Sequence, residues 1–232
     1  MYFYGYDVYY FILVVPALVF SIYAQMKVQS TFNRYSKVIN RRGFTGADIA
    51  RYILDTNGLG EIRVQTVRGQ LTDHYDPAKK VVRLSDSVYS STSVAALGVA
   101  AHETGHAIQH KTGYGPLALR TNLVPIAGVG SSVGPYIAIF GLIFNFPLLV
   151  NIGIILFTLA VAFYLVTLPV EFNASKRAIS ILESSDILAV EEIEPAKKVL
   201  KAAAMTYVAS ATVAMANLLR LVLLANRRND RR

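Results

Sequence analysis

The sequence predicts a mainly α-helical integral membrane protein, with three to four membrane helices and a small α+β region. Three observations carry that expectation. Hydrophobic residues fill 53% of the 232 positions and the mean hydropathy is +0.41, high for a soluble globule. Long runs lack any charged residue: Val8 to Met26, Thr121 to Val170 and Ala202 to Leu219. Between the first two lies a polar stretch, about residues 27 to 120, that mixes helical and strand periodicities.

Taken in order, residues 1–26 form the first membrane helix, with tyrosines at its outer end (Tyr2, Tyr4, Tyr6, Tyr9 and Tyr10). A signal peptide fits less well, because Lys27 follows the apolar run and does not precede it. In residues 27–120, Thr45-Gly46-Ala47-Asp48 opens a helix through Leu54 that ends near Asn57-Gly58. Glu61 to Val67 alternates as a strand, Asp76-Pro77 marks a turn, and Val81 to Leu84 reads as a second strand. A helix of about residues 93–110 follows, capped within Ser90 to Ser93 and rich in small apolar residues suited to a tightly packed interior. Residues 121–170 hold 50 uncharged positions, enough for two membrane helices joined at Asn145-Phe146-Pro147. Residues 171–201 form a further helical region. Residues 202–232 give a last apolar helix and a basic tail, with Arg220 a costly interruption unless it snorkels or faces protein.

The net charge of +8 does not indicate nucleic acid. Much of the basic excess borders apolar runs: Lys27, Arg34, Lys37, Arg41 and Arg42 after the first, and Arg227, Arg228, Arg231 and Arg232 after the last. Charge so placed sets membrane orientation or contacts anionic lipid. With no Cys, disulfides and thiolate metal ligation are both excluded.

The chemistry is carried by His102-Glu103-Thr104-Gly105-His106, an H-E-x-x-H pattern on the helix of residues 93–110. Helical positions i and i+4 share a face, so two imidazoles can reach one metal ion, with Glu103 beside them to take a proton from water. Four His and seven Glu predict about 0.002 such matches by chance, which explains the pattern poorly. A catalytic zinc site needs a third protein ligand and an open position. Glu171 directly follows the 50-residue hairpin, and two crossings return it to the side of His106. It is a third ligand or a solvated carboxylate that ends a membrane helix; spacing does not choose. His110, eight residues past His102, has rotated and risen too far to share the ion easily. His74 either lines the cleft and stabilises a substrate carbonyl or is an ordinary loop histidine. Gly105 either admits a close neighbour or is a tolerated helix glycine.

Three segments resemble a known family. Leu71-Thr72-Asp73-His74-Tyr75-Asp76-Pro77, Ala100 to Gln109 around the motif, and Leu168-Pro169-Val170-Glu171-Phe172-Asn173-Ala174-Ser175 are similar to the YugP-like neutral zinc metallopeptidases, bacterial integral membrane proteins. The likeness covers nearly the whole chain. It implies a zincin-like catalytic region of gluzincin type, one Zn²⁺ per chain held by His102, His106 and Glu171, and Glu103 as catalytic base. Many more distant membrane gluzincins carry an acidic residue four positions after the ligand Glu to orient a histidine; here that position is Ser175.

The expected function is zinc-dependent hydrolysis of peptide bonds in protein or peptide substrates, internal rather than terminal, since no terminus-binding pocket is evident. The strand at Val81 to Leu84, or that at Ile62 to Val67, offers an edge to an extended peptide. The alternative is a membrane scaffold whose metal site only staples the fold. A transporter is disfavoured, because the hairpin lacks ionisable groups. Basic residues 27 to 42 predict a multi-pass protein of the cell membrane with its site facing the cytoplasm, although a spanning last helix would then put the Arg-rich tail outside. The oligomeric state and the identity of the substrate are not encoded legibly.

Overall fold

The computed structural model describes residues 7–185 and 187–229. The expected outer-end tyrosines Tyr2, Tyr4 and Tyr6 and the tail residues Arg231 and Arg232 lie outside the described residues. Among the described residues the chain is mainly helical with one three-stranded sheet, and four helices are long and apolar enough to cross a membrane: Tyr10–Tyr35, Gly115–Ile143, Pro147–Ser184 and Val190–Arg227. The element order is α1 (Val15–Tyr35, preceded by a π-helical turn at Tyr10–Val14), α2 (Gly46–Thr56), β1 (Arg63–Val67), β2 (His74–Asp76), β3 (Val81–Ser85), α3 (Asp86–Tyr89), α4 (Val94–Lys111), α5 (Gly115–Ile143), α6 (Pro147–Ser184) and α7 (Val190–Asn229). These elements divide between two compact units. One gathers Met1–Gln25, Ala118–Pro169 and Thr206–Arg232, the other Met26–Leu117 and Val170–Met205.

The first unit is built from apolar helix segments. Asn145 takes a positive φ of 58° between α5 and α6, and Pro147, with φ fixed near its helical value, starts α6. The hairpin arms pack backbone to backbone. A Cβ at Gly130 would meet the Leu156 carbonyl oxygen at 2.3 Å, and one at Gly153 the Ala138 amide nitrogen at 2.4 Å. Small residues are what permit such approaches where lipid removes any hydrophobic drive between helices. Ala138, Phe157, Ala160, Val161, Ala214 and Leu221 make the core. Arg220 does not stand alone in α7: its Nε donates to Asp7 Oδ2 at 2.6 Å, and its guanidinium lies 5.3 Å from the Tyr10 ring centre. The interruption expected to be costly is matched by a carboxylate and an aromatic face from the other end of the sequence.

The second unit has the α+β character expected of the polar segment. Thr45 caps α2 in a reciprocal box, its hydroxyl accepting from Asp48 N while Asp48 accepts from Thr45 N. Ile49, Ile53 and Leu54 of α2 are buried with Val82, Leu84 and Leu97 in one core. The sheet order is β1-β3-β2, with β1 parallel and β2 antiparallel to β3. This corrects one expectation. The strand at Val81–Ser85 is central and paired on both sides, so it offers no free edge; the edges belong to β1 and to β2, a strand too short to show in the sequence pattern.

Candidate metal centre

Helix α4 starts where the serine-rich stretch ends. Ser93 has extended backbone and accepts from Ala96 N at 3.2 Å. Its small side chains, Ala95, Ala96, Ala100 and Ala101, are fully buried, so neighbours pack close around a helix that presents His102 and His106 from successive turns. Helix α6 lies against that face. A Cβ at Gly105 would come within 2.8 Å of the Ala174 carbonyl oxygen, which makes glycine a packing requirement at this position. That closeness carries Glu171 to the two imidazoles. Glu171 Oε2 lies 3.2 Å from His102 Nε2 and 3.6 Å from His106 Nε2, and the carboxylate is only 1% exposed.

These three donors all lie within 4.8 Å of one another. Tetrahedral zinc with bonds of about 2.0–2.1 Å separates its ligand atoms by roughly 3.3–3.4 Å, and the measured separations of 3.2 and 3.6 Å bracket that value. The far sides of both rings are engaged as well. His102 Nδ1 lies 3.1 Å from Ser175 Oγ, and His106 Nδ1 lies 3.0 Å from Gln109 Oε1. With each Nδ1 bound elsewhere, each Nε2 is the nitrogen that faces the carboxylate. The donor set therefore fits a zinc ion.

Glu103 is 9% exposed and close enough to act electrostatically on two neighbours. Burial pushes the His106 imidazole down, but its contact with Glu171 and the charges of Glu171 and Glu103 outweigh this and hold it above the usual histidine value. Asp73, just before β2, is raised by burial and by Glu103, against the lowering effect of the Ser85 amide it accepts from at 2.7 Å.

The other candidates stand apart from the cluster. His74 is exposed, with Nδ1 2.8 Å from the Thr72 carbonyl and Nε2 3.2 Å from Arg83 Nη1. His110 is exposed and 3.1 Å from the Tyr75 hydroxyl, which fixes β2 to the end of α4. Ser175, where more distant gluzincins carry an acidic residue, lies with its hydroxyl beside His102 Nδ1. Gln109 escaped the sequence reading. It is fully buried, donating from Nε2 to the Val170 carbonyl at 2.8 Å and to Asn173 Oδ1 at 3.0 Å. The available signal was its place three residues past His106, an amide on the next turn of an otherwise apolar face.

Two imidazoles and one carboxylate, set on two helices packed at contact distance, make a candidate metal site. The chain belongs to the family described as "Putative neutral zinc metallopeptidase", which matches residues 10–226. It is 50% identical over 212 residues to the "Putative membrane protease YugP" of Bacillus subtilis (strain 168), covering 91% of this chain and 94% of that protein. No solved structure matches. The chain is thus a member of a zinc metallopeptidase family, and the four apolar helices among its described residues mark it as a membrane protein.

Proposed function

We propose that this chain is a membrane-embedded zinc endopeptidase of gluzincin type, with one Zn²⁺ bound by His102, His106 and Glu171 and with Glu103 as general base. The observation that carries this reading is the convergence of Glu171 Oε2 on both Nε2 atoms. Zinc would supply Lewis acidity, polarising the scissile carbonyl and making a water acidic at neutral pH. The protein's own groups would do the rest. Glu103 adjoins His102 on α4, and its carboxylate would accept the water proton during attack on the carbonyl carbon, then deliver it to the departing amine nitrogen as the C–N bond breaks. An extended peptide would add to a sheet edge. Of the two edges, β2 is the one packed against α4 and fixed to it through Tyr75 and His110.

A scaffold role with a stapling metal calls for a closed site of four protein ligands, whereas the described residues bring three together. Three ligands leave one position for chemistry. The basic residues 27 to 42 support a multi-pass arrangement with the site facing the cytoplasm.

Replacing Glu103 with Gln tests the assignment. The variant should retain zinc at the level of the unaltered protein and lose casein cleavage by about 10²–10⁴-fold. Undiminished cleavage would exclude Glu103 as the base, and loss of the metal would mean that it serves the fold instead.

A further inference from the structure

Both candidate ligand histidines are buttressed by groups without charge, and one of these groups also grips the helix that carries the third ligand. In many zinc sites the outer nitrogen of a ligand imidazole meets a carboxylate, which makes the ring more basic and tightens the metal. Here the partner of His102 is the Ser175 hydroxyl at 3.1 Å and that of His106 is the Gln109 amide oxygen at 3.0 Å. Gln109 has no latitude. Its Nε2 donates to the Val170 carbonyl and to Asn173 Oδ1, so Oε1 must be the atom that faces His106, and His106 must carry its proton on Nδ1. Arg177 Nε donates in turn to the same Asn173 Oδ1 at 2.8 Å, holding that oxygen as an acceptor. Val170 immediately precedes Glu171. One buried amide thus fixes the tautomer of a ligand on α4 and the position of the α6 backbone next to a ligand on that helix.

We infer that Gln109 and Ser175 are positioning residues that orient the metal-binding imidazoles through uncharged acceptors, with Gln109 coupling His106 to the Glu171-bearing turn of α6. This rests on the metal-site reading above and extends it to groups that do not touch the metal. Neutral acceptors polarise the ligand rings less than a carboxylate would. A metal bound there would be held less tightly and would withdraw electrons more strongly from a bound water.

The test measures zinc affinity of the full-length protein in detergent by chelator competition, with the absorption spectrum of the Co²⁺-substituted protein as a second readout. Gln109→Leu keeps the approximate volume and removes both hydrogen-bonding ends. It should weaken zinc by about 10–100-fold and alter the Co²⁺ spectrum. Ser175→Ala should weaken it in the same direction. Ser175→Asp should tighten zinc beyond the unaltered protein and move the acid limb of casein cleavage to higher pH. A purely structural serine would not produce that change of sign. Zinc affinity within twofold of the unaltered protein in Gln109→Leu, or weakening in both Ser175 variants, would overturn the inference. Should Gln109→Leu fail to fold, the opposed Ser175 pair decides alone. Failure of the peptidase reading would appear separately, as an unaltered protein that binds zinc and cleaves nothing.

Discussion

At the scale of single residues, the centre depends on carboxylates whose surroundings differ sharply. Glu171 is buried against two imidazoles, and replacing it with Ala should remove a proposed ligand without creating a clash. Zinc content measured after dialysis should fall by more than the 10–100-fold typical of losing a supporting group. Asp73 is a different case. Burial and the nearby Glu103 raise it above its ordinary value, so across the interval between the two values the folded chain holds a proton that the unfolded chain has released. Stability from this group therefore falls as pH rises through that interval and is constant below it. Asp73→Asn keeps an oxygen for Ser85 and should flatten this part of the curve, read as unfolding temperature against pH. Arg83 has the opposite effect at half-buried Asp76, where its hydrogen bond lowers the carboxyl.

At the scale of elements, the contact between α4 and α6 decides whether the three candidate ligands meet. Gly105→Ala places a methyl where the Ala174 carbonyl oxygen stands 2.8 Å away, and backbone cannot rotate aside as a side chain can. The change should cost about 1–3 kcal/mol in thermal unfolding and weaken zinc in parallel, because α6 must retreat with Glu171. Much of this layer was legible beforehand. The i, i+4 spacing of His102 and His106 fixed their shared face, and uncharged runs located the apolar helices, since both signals are local. What stayed hidden was non-local. β2 has three residues and no periodicity to read, so the central place of β3 went unseen. Gln109 looked like one more polar side chain, because its partners Val170 and Asn173 lie more than 60 positions away. The glycine at 105 read equally well as tolerated until the neighbouring helix supplied a reason.

At the scale of the whole molecule, the sequence left Arg220 unexplained, because its partner Asp7 is 213 positions distant. The pair has side chains only 19% and 25% exposed. Arg220→Leu alone should destabilise the protein by about 1–3 kcal/mol, since it strands a carboxylate in a poorly solvated place. Combining it with Asp7→Asn should recover part of that loss, measured as thermal unfolding of all three variants in detergent. The order of the chain has a further bearing on how the protein comes into being. His102 and His106 are synthesised ahead of the α5–α6 hairpin and Glu171 after it. A growing polypeptide thus displays two imidazoles long before the carboxylate that completes their cluster has left the ribosome. On the proposed function, a chain of this design would stay unable to cut its neighbours until both arms of that hairpin had been threaded, so the order of synthesis would itself delay activity.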